Sequence, residues 1–459
     1  MPDYLRVAEE VAAEISTGRL RPGDRLPTQR AFARSRGIAN STAIRVYGEL
    51  VRRGLVVGEV GRGTFVRAAP PAPGSALAEA TGTAPVNLEL NYPVAEGQSE
   101  LMVRSLEGLL RADSLDEATG PAAAAGTPEA RRAAAGLLAR GGWQPDADRV
   151  LFAGNGRQAI AAAVSSLVPP GGRLGVEALT YPLVKGIAGR LGVALVPIAT
   201  DGEGLRPDAL AAAHRSTPLG AVYVQPTLHN PLSVTAGEGR RAELAAVLDA
   251  CRLHAVEDTT WAFLAPDAPP PLAAYAPGRT VLVDSLSKRL APGLSVGFLV
   301  APGGGADGRP EARTGGSAGG SAGGPCHALA RTLRSGAWTA GRFNLEAATR
   351  WTVDGTVAAV VETKRKDAAT RQALVREHLA GFRVHTDVRA YYCWWELPTG
   401  CRAETFVAAA AGHGIAVTPG SAFAVGSRTA PDAVRIGLAS PPVQTLAYAL
   451  RTLAGIARG

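Results

Sequence analysis
Val281-Leu-Val-Asp-Ser-Leu-Ser-Lys288-Arg-Leu-Ala-Pro-Gly-Leu-Ser-Val-Gly-Phe-Leu-Val300 is the stretch that decides the fold. It reads as an apolar strand, a turn carrying serine and lysine, a Pro-Gly break and a second apolar strand. Strands without a polar face belong in sheets covered by helices on both sides. Working outward, apolar strands over 149–153, 173–178, 194–199, 221–226, 254–258, 280–285 and 295–301 alternate with helical stretches. The alternation predicts an α/β fold with a mainly parallel sheet.

Lys288 stands at the end of one of these strands. It is one of only four lysines among 48 Lys and Arg residues. Arginine stays protonated at every accessible pH, whereas a desolvated lysine can lose its proton and condense with an aldehyde. Pyridoxal phosphate, which binds through a lysine Schiff base, is the candidate cofactor. Other features fall at strand ends, where open α/β sheets bind ligands. Gly154-Asn-Gly156-Arg157-Gln-Ala opens a helix, and its free N–H groups suit a phosphate, although such turns are often structural. Tyr181 could stack on a ring or belong to the core. Asn230, in His229-Asn-Pro-Leu, could donate to a phenolic oxygen. Asp258 could hold a pyridine nitrogen protonated, or cap a helix.

In this order the motifs resemble fold-type I aminotransferases, from about residue 87 to 455. The matches are Gly156-Arg157-Gln158, Pro169-Pro-Gly-Gly-Arg-Leu-Gly-Val-Glu177, Tyr181-Pro182, Asn230-Pro231, Asp258, Ser285-Leu-Ser-Lys-Arg-Leu-Ala-Pro-Gly293, Val417-Thr-Pro-Gly-Ser-Ala-Phe423 and Val434-Arg435-Ile436. The resemblance implies Lys288 as the catalytic, Schiff-base lysine. It implies Asp258 on the pyridine nitrogen, Asn230 on the ring oxygen and Tyr181 over the ring. Gly156, Arg157, Ser285 and Ser287 would surround the phosphate, and Arg435 would clamp an effector's carboxylate. Three positions depart from the pattern. Ser295 replaces a phosphate-binding arginine, Trp261 replaces a tyrosine, and Thr119-Gly120 replaces a tyrosine that reaches the partner subunit's phosphate. Arg289 stands near the first gap, either as a substitute for the missing arginine or as a surface residue. These losses imply weaker cofactor affinity or turnover.

The N-terminal seventh differs in charge. Residues 1–67 hold 12 arginines, no lysine and 7 acidic residues, so they carry +5 of the chain's formal +8. A basic module on a nearly neutral body points to an anionic partner. Its pattern predicts helices over 3–17, 29–36 and from Asn40 or Ser41 to about Arg53, then a hairpin around Gly61-Arg62-Gly63. That is a winged helix-turn-helix. Thr28 is the expected cap of the second helix. Ile44, Tyr47, Leu50 and Val51 are expected inward on the third. Arg30, Asn40, Ser41, Thr42, Arg45, Arg62 and Thr64 are the candidates for contact with double-stranded operator DNA. The stretches Ile15-Ser-Thr-Gly-Arg-Leu-Arg-Pro-Gly-Asp-Arg-Leu-Pro27, Arg30-Ala-Phe-Ala33 and Gly61-Arg-Gly-Thr-Phe-Val66 resemble the GntR family of regulators over residues 4–67. Asn40 and Ile44 occupy positions where those relatives often carry arginine.

The expected organisation is a DNA-binding domain over 1–67, a linker over 68–86 and an aminotransferase-like large domain over 87–340. A small subdomain follows over 341–459, and a Gly/Ser/Ala-rich disordered insertion spans 303–325. A single long helical region is expected over 344–380. A GntR-like reader joined to an aminotransferase-like body resembles the MocR regulators. That resemblance implies a pyridoxal-phosphate-holding, homodimeric transcription factor that senses a vitamer, amino acid or amine. The alternative is a working aminotransferase with an accessory DNA-binding module, and a third reading is a decayed site that binds no cofactor. No apolar run is long enough to cross a membrane, and no signal peptide or metal-binding spacing is evident. A cytoplasmic location with reduced cysteines is expected.

Overall fold
The computed structural model describes residues 3–17, 19–20, 23–52, 55–59, 63–66, 84–303, 324–426 and 430–458. Arg62, most of the expected linker and most of the expected insertion lie outside them.

Three helices open the chain: α1 (Asp3–Ser16), α2 (Gln29–Arg36) and α3 (Asn40–Arg52). The Thr28 hydroxyl accepts from the Ala31 amide at 3.3 Å and caps α2. Gly37, at φ +62°, ends it and turns the chain into α3. The first helical bonds of α3 run to the Ala39 carbonyl. Asn40 and Ser41, either of which is an expected cap of this helix, therefore lie inside its first turn. Strands β1 (Arg25–Leu26), β2 (Val56–Glu59) and β3 (Gly63–Val66) form an antiparallel sheet with β3 in the middle. Val7, Val11, Phe32, Val46, Tyr47 and Leu50 are among the residues that fill the core between helices and wing. Ile44 and Val51, expected inward, are 50% and 47% exposed. The inward face of α3 is Ala43, Val46, Tyr47 and Leu50 instead.

The large sheet has seven strands in the order Val150–Ala153, Gly297–Val300, Thr280–Ser285, His254–Asp258, Ala221–Val224, Arg173–Glu177, Ala194–Ile198. Only Gly297–Val300 runs antiparallel to its neighbours. Alternate residues of one strand enter different cores: Val281 and Val283 pack on one side, Leu282 on the other. Both faces are therefore buried, which accounts for strands with no polar face.

The helical region expected over 344–380 is two helices, Arg342–Val353 and Thr356–His378. Gly355, at φ +85°, breaks it, and the Asp354 carboxylate accepts from the Thr356 amide at 2.9 Å. A four-stranded antiparallel sheet follows, with Tyr392–Glu396 and Ala433–Gly437 at its centre. Val86–Asn87 pairs in parallel with Ile415–Ala416, so the segment before the large sheet leans on this smaller unit. No described helix is long and apolar enough to cross a membrane, and all four cysteines are free.

Candidate functional site
The carboxyl ends of the central strands open into a cavity of about 320 Å³, at the small end of the range for ligand pockets. Lys288, Asp258, Asn230, Tyr181, Gly156, Arg157, Ser285, Ser287 and Arg435 all line it.

Thr280–Ser285 delivers Lys288 through a single helical turn, Leu286–Arg289, and the Ser285 hydroxyl caps that turn. The Lys288 Nζ donates to the Asn91 carbonyl at 2.6 Å and lies 4.0 Å from the Tyr92 ring centre and 5.3 Å from that of Trp261. Protein atoms crowd the ammonium while the side chain keeps partial access to solvent. Burial, with the nearby Arg435, Arg157 and Lys364 charges, brings its pKa down to about 7. A large fraction of the amine is thus neutral near neutral pH.

Asp258 is buried at the end of its strand. Its Oδ2 accepts from the Tyr223 hydroxyl at 2.6 Å and Gln225 Nε2 at 3.1 Å, and its Oδ1 accepts from the Thr260 amide at 2.9 Å. Burial raises its pKa while the donors around it oppose the shift. A cationic ring nitrogen would stabilise the anion further.

Asn155 caps the helix Gly156–Leu167, leaving the Gly156 and Arg157 amides at the helix N-terminus on the cavity. A Cβ on Gly156 would lie 3.0 Å from the Ser285 Oγ and 3.1 Å from its Cβ, so glycine lets the helix come this close without displacing Ser285. The Ser285 and Ser287 hydroxyls are 2.6 Å apart, and Arg157 donates to the Tyr92 hydroxyl at 3.4 Å. Two amides at a helix N-terminus, two hydroxyls and a guanidinium fit a phosphate.

Arg435 reaches the opposite side. One of its terminal nitrogens donates to the Glu89 carbonyl at 2.7 Å and to the Thr418 hydroxyl at 3.3 Å. Its Nε is buried with no partner, and so is the Asn230 Oδ1. Turning the Asn230 amide presents an N–H to the same space. Unsatisfied polar atoms of this kind are costly unless a ligand completes them. With the Gly156 cradle, they show that the residues present fit pyridoxal phosphate and a carboxylate beside it.

The gaps foreseen from sequence are visible. Ser295 is buried, its hydroxyl has no partner, and it does not line the cavity. Arg289 is neither a surface residue nor a substitute. It is buried against Asp284, with contacts of 2.7 and 3.3 Å, and lies over the Phe263 ring. Trp261 lines the wall beneath Lys288. Thr119 caps the end of its own helix through the Leu115 and Asp116 carbonyls. Sequence reasoning missed Asn91, Tyr92, Tyr223, Gln225 and Thr260. Tyr223 carried a signal, being the lone hydroxyl in the apolar strand Ala221–Val224; Asn91 and Tyr92 lie almost 200 residues from Lys288 and carried none.

On the N-terminal module, Arg30, Asn40, Ser41 and Arg45 are exposed and Thr42 half-buried. Thr64 sits in the middle strand, paired with Gly58 and Leu26.

A family model described as aminotransferase class I and II matches residues 91–453, and one described as bacterial regulatory proteins, gntR family, matches residues 3–66. The chain is similar to the HTH-type transcriptional regulator YdeF of Bacillus subtilis, with 28% identity over 96% of this chain and 91% of the relative. It is 26% identical to the HTH-type pyridoxine biosynthesis transcriptional regulator PdxR of Corynebacterium glutamicum, over 72% of this chain and 73% of the relative. Among solved structures, a kynurenine aminotransferase from Pyrococcus horikoshii superposes with a TM-score of 0.70 at 20% identity, over 81% of this chain and 90% of that one. The aspartate aminotransferase of Thermus thermophilus gives 0.66 at 18%, over 94% and 97%.

Proposed function
Because this chain belongs to the aminotransferase class I and II family and carries a gntR-type module ahead of it, we propose that it is a MocR-type regulator that holds pyridoxal phosphate on Lys288. It reports an amino acid, amine or vitamer as a change in operator occupancy. The observation that carries this reading is the convergence of Lys288, Asp258 and Arg435 on one cavity, in a chain whose third helix exposes Asn40, Ser41 and Arg45.

When bound, pyridoxal phosphate supplies an aldehyde that captures amines and a ring that stores electrons. The protein's own groups set the terms. Lys288 would hold the aldehyde with an amine that burial keeps largely neutral. Asp258, fixed by Tyr223, Gln225 and Thr260, would hold a proton on the ring nitrogen. Asn230 would donate to the ring oxygen, with Tyr181 against the ring. The Gly156 and Arg157 amides with Ser285 and Ser287 would grip the phosphate. Arg435 would take a carboxylate with its guanidinium. With Ser295 off the cavity and Arg289 committed to Asp284, the phosphate lacks one cationic ligand. A hydrogen bond to a charged group is worth about 1.5–3 kcal/mol, so this site suits detection better than rapid turnover.

Arg30, Asn40, Ser41, Thr42 and Arg45 face the duplex in this reading, with Thr64 and Arg62 from the wing. A homodimer is expected, with one half-site per copy, in the cytoplasm. Val103 and Leu110, on and just after the helix Gln98–Leu109, are 54% and 63% exposed, and Val353 on the adjoining helix is 63% exposed, which favours a second copy over this surface. The deciding experiment is the visible spectrum of the purified protein, with and without candidate amines, read beside operator binding at fixed salt. The reading expects an absorbance that needs Lys288, responds to the effector and tracks DNA affinity. A protein left colourless by added cofactor and indifferent to Lys288→Ala sinks it; rapid multiple turnover with amino donors and keto acids favours the aminotransferase instead. Arg45→Ala is expected to weaken operator binding and flatten its salt dependence.

A further inference from the structure
Helix α3 exposes an isoleucine at the centre of the surface that the proposed function turns toward DNA. Ile44 is 50% exposed, while Ala43, Val46, Tyr47 and Leu50 fill the core behind it. Asn40 and Ser41 precede it by one turn and Gly48 follows one turn later, so helical spacing puts them with Ile44 on one face, and Arg45 lies at the edge of that face. A Cβ on Gly48 would meet nothing within 4 Å, so the helix is bare there and a bulky partner can approach its backbone closely. A mid-helix glycine and an exposed β-branched residue both disfavour the free helix. Neither serves the core.

The surrounding charge names the partner. Residues 29–52 hold five arginines against one glutamate, and that Glu49 is buried. Arg45, next to Ile44 on α3, is exposed, and so are Arg30 and Arg34 on α2, the helix packed against α3. A basic rim around an apolar centre matches the major groove, where thymine is the base that presents a methyl group. Asn40 is the residue type that pairs with adenine at two points. It lies four residues before Ile44, about 6 Å along the helix, so the two address base pairs within about two steps of each other.

We propose that Ile44 reads the 5-methyl group of a thymine, one in each half-site, and that with Asn40 it makes the operator A·T-rich at the centre of each half. This inference rests on the DNA-binding reading. The test uses the full-length, cofactor-loaded protein to select duplexes from a random-sequence pool. Thymines of the best duplex are then replaced singly by uracil, which removes only the methyl. One thymine per half-site is expected to matter, its replacement weakening wild-type binding about fourfold, the value of one buried methyl-sized group. Ile44→Ser is expected to bind thymine and uracil duplexes equally. Val51→Ser, on the same exposed stripe two turns on, is expected to keep the discrimination. Equal responses of wild type and Ile44→Ser to uracil at every position overturn the proposal. So does a change of solution mass in both variants, which would place a second protein copy on the stripe. A pool that enriches no sequence overturns the DNA-binding reading itself.

Discussion
The scarcity of lysine points to more than one thing. Lys185 donates to the Ala422 and Ala424 carbonyls at 2.7 and 3.0 Å, and Lys364 to those of Lys288 and Leu290 at 3.1 and 2.7 Å. Both use a compact ammonium with several donors to tie distant backbones together. Lys288 shares that habit; its strand-end place beside Asp258 and Arg435 singles it out. Condensation with an aldehyde needs the neutral amine, whose half-population comes at about pH 7 here instead of near 10.5. The capture rate for added pyridoxal phosphate is therefore expected to rise about tenfold per unit below pH 7 and to level off above about pH 8. Stopped-flow absorbance checks this, and a rate still climbing tenfold per unit at pH 9 contradicts the depressed pKa. Lys288→Arg is expected to abolish the absorbance, since arginine keeps its proton. Strand-end residues were legible because their spacing follows the sheet. Arg289 was not, because only the folded chain shows that Asp284 claims it.

At the scale of elements, close approaches matter most. Gly156→Ala would place a methyl 3.0 Å from the Ser285 hydroxyl and push that hydroxyl, one of the groups that would hold the phosphate, out of place. Losing one charge-assisted phosphate contact is expected to weaken cofactor affinity roughly 10- to 100-fold, read by absorbance titration, with the circular dichroism spectrum unchanged. Thr28→Ala removes the cap of α2 and is expected to destabilise the DNA-binding module by about 1 kcal/mol. Its melting should shift while the cofactor spectrum does not. Most elements were legible from period and punctuation: the Thr28 cap, the Gly37 corner and the strands with no polar face. The inward assignment of Ile44 and Val51 failed because apolar periodicity treats every isoleucine and valine as core, whereas α3 turns these two outward and packs through Ala43, Val46, Tyr47 and Leu50. The Asp354-Gly355 break was present in the sequence as a turn dipeptide inside a helical period.

Across the whole molecule, the DNA-binding module rests on the small C-terminal unit. The Arg402 guanidinium covers the Phe65 ring at 3.8 Å, and a Cβ on Gly23 would strike the Thr405 hydroxyl. Arg402 and Thr405 belong to the first turn of Ala403–Gly412 and its cap, in the unit that also supplies Arg435 from Ala433–Gly437. In the proposed function an effector held by Arg435 would therefore act on the body that carries the wing, and a ligand shifts an equilibrium only through contacts that differ between its states. Arg402→Ala removes a cation–π contact of the kind worth about 0.5–2 kcal/mol. The expected outcome is a protein whose absorbance still responds to the amine but whose operator affinity no longer does, measured by parallel spectral and DNA titrations. If the variant keeps the full amine-dependent change in affinity, the signal does not pass through this contact. If it loses the spectral response as well, Arg402 supports the pocket and does not link it to DNA. No sequence motif announces the contact, because Phe65 and Arg402 are over 300 residues apart and each reads alone as an ordinary surface-strand or helix-start residue.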